Sequence, residues 1–134
     1  MKVVYHEKYT TVYSSDPAAA PGRMESVYNE LCGIFEFVEP EPASEEDLEL
    51  VHWRGHVESV KRHGLAYEVA KLAAGGAIKA SELALEGEPA FGLIRPPGHH
   101  ASKDFSWGFC YFNNMAISIE RLRRRDQIKK ALIV

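Results

Sequence analysis

The sequence predicts an α/β fold, a parallel sheet flanked by helices on both faces. Short apolar runs at Lys2–Tyr5, Ala90–Ile94 and Lys130–Val134 read as strands. The segments between them carry apolar residues at steps of three and four, the period of a helix with one buried side. Strands alternating with helices build parallel sheets, because a parallel crossover needs a helix. At 134 residues, 46% hydrophobic and 26% charged, the chain has the length and composition of one domain with a modest core. No internal repeat and no domain boundary appears, so residues 1–134 are expected to form a single domain.

Lys2–Tyr5 is the expected first strand, and Ser14–Gly22 a loop rich in Ala and Pro. Met24, Val27, Leu31, Ile34, Phe35 and Val38 fall on one helical face, and Pro40 and Pro42 end that helix. Ser44-Glu45-Glu46-Asp47 has the form of a capping box, opening a helix that carries Leu48 and Val51. A short helix follows over His56–His63, then a long one over Leu65–Leu85 with Gly75-Gly76 in its middle. Two glycines cost about 1 kcal/mol each against alanine, so close packing against a neighbour is their expected reason. Gly87 and Pro89 stop it. Ala90–Ile94 is the second strand. A last helix runs from about Asn113 to Arg125, with Met115, Ala116, Ile119 and Leu122 on its apolar side. ALIV at the end of Lys130–Val134 reads as a third strand buried on both faces.

Charge narrows the function classes. The net charge of −3 offers no basic face for nucleic acid. Glu36–Glu49 is acidic, and Arg121–Lys130 holds six bases and one acid, Asp126. Such runs are expected as solvated helix faces, and cations suit a helix C-terminus. No apolar run approaches the ~18 residues of a membrane span. Cys32 and Cys110 make no disulfide framework, and MKVVYHEKY does not read as a targeting segment, so a cytoplasmic location is expected.

The residues with the most chemistry lie in RPPGHHASKDFSWGFCYFNN, residues 95–114. His99 and His100 follow a strand, where α/β sheets place their sites. Two imidazoles can divide labour: one takes a proton from water while the other steadies a developing oxyanion. A histidine pair kept for loop hydrogen bonding is the competing reading. His52 and His56 have the four-residue spacing of a metal pair on a helix. Trp53 stands where HExxH has its glutamate, and Gly55 intervenes, so helix-boundary histidines are expected instead. His6 reads as a strand-end loop residue.

RPPGHHA, a polar spacer and GFCYFNN leading into a helix together resemble the signature of the zinc-dependent histone deacetylase and acetylpolyamine amidohydrolase family. PASEEDLELVH, Pro21-Gly22-Arg23 and AAGGAIKA resemble further family segments, so the likeness covers nearly the whole chain. It implies the N-terminal part of the arginase/deacetylase fold and deacetylation of an acetylated small amine or acetyl-lysine. It implies that His99 hydrogen-bonds the reacting water and stabilises the transition state. His100 would be the general base that later returns a proton to the leaving amine. Gly108 would offer its carbonyl to the substrate amide, and Phe109 would wall the tunnel. Arg23 would be a buried arginine at the acetate-release end. Cys110 would sit near the site, with a small buried hydrophobe as an equal reading. Trp107 would shape the tunnel rim or simply pack.

The resemblance also implies Zn2+, but the family's Asp-x-His ligand segment, second aspartate and carbonyl-polarising tyrosine would all follow Val134. No metal ligand is therefore assigned in this chain, which reads as a truncated catalytic domain. Alone it is expected to be inactive, and to associate as a homo-oligomer or with a complementary C-terminal chain. The alternative is a non-enzymatic remnant or assembly subunit. Only His63-Gly64-Leu65-Ala66 separates Arg62 from Tyr67, where the family carries a longer, often acidic loop, so the substrate stays open.

Overall fold

The computed structural model describes residues 1–134. Its sheet has three parallel strands: β1 (Lys2–Val4), β2 (Glu36–Val38) and β3 (Ala90–Gly92), in the order β2-β1-β3. Lys2 pairs with Glu36 on one side and Ala90 on the other, Val3 with Phe37 and Phe91, Val4 with Val38 and Gly92. Successive strand side chains point to opposite faces. Val3 and Val4 are both wholly buried, so both faces of the central strand are covered.

The parallel α/β class stands, but the strands are not all where the sequence put them. Lys130–Val134 forms no strand, and Leu132 is 87% exposed. A strand exists only with a backbone partner, and the last backbone bond near this end is Gln127 N–H to the Leu122 carbonyl. The third strand is β2, from residues expected to be helical. Helix α1 (Arg23–Leu31) stops because Cys32 turns extended and Gly33 takes φ +84°, a left-handed conformation that closes helices. Phe35 and Phe37 still face the interior, packed beside Val3, Tyr9, Met24 and Leu93.

The other helices are α2 (Glu45–Glu49), α3 (Arg54–Lys61), α4 (Leu65–Leu85) and α5 (Asn114–Arg124). The capping box at α2 is formed in full. Ser44 Oγ accepts the Asp47 N–H at 3.1 Å, and Asp47 Oδ2 accepts the Ser44 N–H at 3.0 Å. Helix α4 is the spine of the molecule. Val69, Leu72 and Ala73 pack toward the sheet, while Tyr67, Ala70, Ala74 and Ile78 meet Leu48, Val57, Val60, Phe112 and Ile117. Burial of each large apolar side chain here contributes about 1.5–3 kcal/mol.

Gly75 and Gly76 are there for contact, as expected. A Cβ on Gly75 would lie 1.9 Å from the Glu41 carbonyl oxygen, and one on Gly76 2.6 Å from Ile94 and 2.7 Å from the Tyr9 hydroxyl. The backbone at Glu41–Ala43 and the Tyr9 hydroxyl, which donates to the Leu72 carbonyl at 2.7 Å, thereby reach the helix directly. The basic run at the end of α5 is absorbed in ion pairs. Arg121 meets Asp47 at 2.5 Å and Glu82 at 3.6 Å, while Arg123 and Arg124 each meet Glu120 at 2.8 Å. The two Arg121 contacts join α5 to α2 and α4 and set the helix that closes the histidine loop.

Candidate active site

Residues 93–113 connect the carboxyl end of β3 to α5. Arg95 opens this loop and is 4% exposed. Its guanidinium donates to the carbonyls of Tyr9, Ala20 (2.9 Å), Ala18 (3.2 Å) and Thr11 (3.3 Å), pinning the N-terminal loop to the site. The Pro96 carbonyl accepts from buried Asn114 Nδ2 at 3.0 Å. Gly98 passes so close to the head of α5 that a Cβ would stand 2.3 Å from the Phe112 carbonyl oxygen.

That close approach delivers the histidines. The rings of His99 and His100 lie 4.2 Å apart, centroid to centroid, at 62°. Trp107 lies against the His100 ring at 3.9 Å, centroid to centroid, and 33°. Gly108, at φ +63°, stands beside the same ring, where a Cβ would come 3.4 Å from His100 Cδ2. The His100 N–H donates to Cys110 Sγ at 3.3 Å. Cys110 is buried, and burial pushes its thiol up, so it is a packed neighbour of the site and not a ready nucleophile. Trp107 and Phe109 are exposed at the rim.

A cavity of about 450 Å³ opens on the His99 side, lined by Ile94, Pro96, Pro97, Met115 and Ile133 among others. Another, of about 390 Å³, lies on the Gly108 side with His56, His63, Trp107, Cys110 and Tyr111. The sequence-named residues His99, His100, Gly108 and Phe109 thus share one loop. No contact joins Arg23 to them. It is exposed and donates from Nη1 to the Pro17 carbonyl at 2.9 Å, and the buried arginine is Arg95. Sequence reasoning passed over Arg95, whose one signal was a cation directly before two prolines at a strand end.

His52 and His56 are also buried. His52 Nδ1 lies 2.7 Å from the Ser102 carbonyl oxygen, and its Nε2 accepts the Asn113 N–H at 2.9 Å. His56 Nε2 lies 2.8 Å from the Tyr111 carbonyl oxygen. Burial, with the neighbouring His56 adding to it, pushes the His52 pKa down to about 4, against the opposing bonds to Ser102 and Lys103. As expected, these are helix-boundary histidines spent on backbone. His6 lies at the end of β1, where its Nδ1 accepts the Lys8 N–H at 3.1 Å.

The resemblance implies zinc, which takes three protein ligands in catalytic centres. No three His, Cys, Asp or Glu side chains in this structure are placed to hold a metal ion. The residues present do not by themselves fit such a centre. Cys32 and Cys110 are both free thiols, and no helix is long and apolar enough to cross a membrane.

A parallel sheet with a histidine pair beyond a strand's carboxyl end defines the class as an α/β protein with a histidine-bearing loop. Residues 63–134 match the family described as the histone deacetylase domain. A probable deacetylase of Methanothermobacter thermautotrophicus is 42% identical over 113 residues, covering 73% of this chain and 34% of the relative. A probable deacetylase of Archaeoglobus fulgidus is 37% identical over 98% of this chain and 43% of its own length. The crystal structure of the HDA15 HD domain superposes with a TM-score of 0.82 at 22% identity, over 93% of this chain and 44% of that one, which shows a shared fold. The chain belongs to the histone deacetylase family. It spans about a third to two fifths of the length of these two curated relatives.

Proposed function

We propose that this chain supplies the acid–base and tunnel part of an amide hydrolase that removes acetyl groups from small amines or from acetyl-lysine. The observation that carries the reading is the His99–His100 pair, 4.2 Å apart, with Gly108 against the second ring. His100 takes the proton of the attacking water and delivers it to the departing amine nitrogen. His99 donates a hydrogen bond to the oxygen on which negative charge develops. The acyl carbon gains the water oxygen and loses the amine, giving acetate and a free amine. The Gly108 carbonyl orients the substrate N–H, and Phe109 with Trp107 walls the stem of the acylated chain. The resemblance alone assigns Arg23 to the acyl end.

The zinc that the family implies has no ligand set here, so its donors are proposed to come from residues outside these 134. The outer side of β3 has no strand partner. Phe91, Met115, Leu132 and Ile133 are exposed. These features support association with a second copy or with a complementary chain.

The test is acetate release from an acetylated polyamine and an acetyl-lysine peptide. The chain is assayed alone, and with zinc and a complementary chain bearing the family's Asp-x-His segment. Release only from the combined sample is expected. Equal release by the chain alone contradicts the division of the site.

A further inference from the structure

We propose that His52 and His56 are positioning residues for the histidine-pair loop, clamping its backbone through opposite imidazole tautomers. This role rests on the reading of His99 and His100 as the reacting pair. The tautomers follow from the partners. A backbone N–H can only donate, so His52 Nε2, which receives Asn113 N–H at 2.9 Å, carries no proton. A carbonyl can only accept, so the His52 proton sits on Nδ1 and points at Ser102, 2.7 Å away. His56 is the reverse, with its proton on Nε2 directed at the Tyr111 carbonyl, 2.8 Å away.

The three backbone groups held are those that define the loop's shape. Ser102 lies two residues beyond His100, Tyr111 follows Cys110, and Asn113 caps α5 by accepting the Ala116 N–H at 3.1 Å. The residues between them, 103–110, carry Trp107 and Gly108 against His100. Both clamp rings stand on the wall formed by Phe112 and lie 4.9 Å from each other. Each ring nitrogen bonded here reaches a part-buried backbone group, where a lost hydrogen bond costs more than at an open surface. The pair therefore fixes the width of the loop at its base, and with it the placement of the stack at His100.

Long-range nitrogen–proton NMR of the full chain at neutral pH reads the tautomers directly. The Nδ1–H form is expected at His52 and a protonated Nε2 at His56. A proton on Nε2 of His52 overturns the proposal. Replacement adds a second measurement: His52→Leu keeps bulk but removes both bonds, whereas His52→Gln keeps one donor and one acceptor on a single amide. The Leu variant is expected to speed amide exchange at Asn113 by about tenfold and to shift the Trp107 and His100 ring signals. The Gln variant restores both toward the unmodified chain. Equal behaviour of the Leu and Gln variants overturns the clamp, including the case in which neither folds. No acetate assay enters, so a chain that releases no acetate leaves the clamp standing, while a wrong tautomer leaves the proposed hydrolysis untouched.

Discussion

At the scale of single residues, His52 makes the sharpest claim about conditions. Its folded pKa is about 4 against an ordinary 6.5, so below 6.5 the unfolded chain takes up a proton that the folded chain refuses. Stability from this group is complete above about pH 6.5 and falls as the pH drops toward 4. The loss amounts to about 3 kcal/mol, because each pKa unit corresponds to about 1.4 kcal/mol. Urea unfolding at pH 7 and pH 4.5 measures it, and His52→Gln is expected to flatten the difference. Residue identity was legible where chemistry is carried by adjacent letters. His99, His100, Gly108 and Phe109 were named from the motif alone, and they lie in one loop. The assignment of a buried arginine failed because burial is decided by what surrounds a side chain. Arg23 heads α1 in the open, whereas Arg95 meets four carbonyls contributed by the loop from Tyr9 to Ala20.

At the scale of elements, α4 was readable to its last residue, because twenty-one residues of apolar pattern between Gly64 and Glu86 leave no competing period. The glycine pair inside it is a packing device. Gly75→Ala gains up to about 1 kcal/mol of helix propensity, yet its new methyl meets the Glu41 carbonyl, and overpacking of this kind costs about 1–3 kcal/mol. Net destabilisation is therefore expected, read as a lower thermal midpoint with the helical signal intact before melting. Gly87→Ala, placed at φ +88° with open space around it, tests backbone strain without a clash. The strands were harder to read. Phe35–Val38 continues a helical spacing from Met24, and only Gly33 signals the break. ALIV has the composition of a buried strand, but composition supplies no partner for its backbone.

At the scale of the whole molecule, the fold brings the N-terminal loop, the histidine loop and the head of α5 together at one end of a three-stranded sheet. The sequence motif located the histidine pair, but it could not show that Arg95 and His52 both bond the backbone around the pair's loop. Those links join residues 9–20 to 95 and residue 52 to 102 and 113, separations that no local pattern encodes. The central claim is the proposal that His100 is the proton carrier of an amide hydrolysis completed by residues outside these 134. The most direct measurement is turnover of an acetylated amine by the combined sample, with His100 and with His100→Ala. A loss of about 10²–10⁴-fold, the usual worth of a general acid–base group, is the predicted result. Turnover undiminished by His100→Ala contradicts the account.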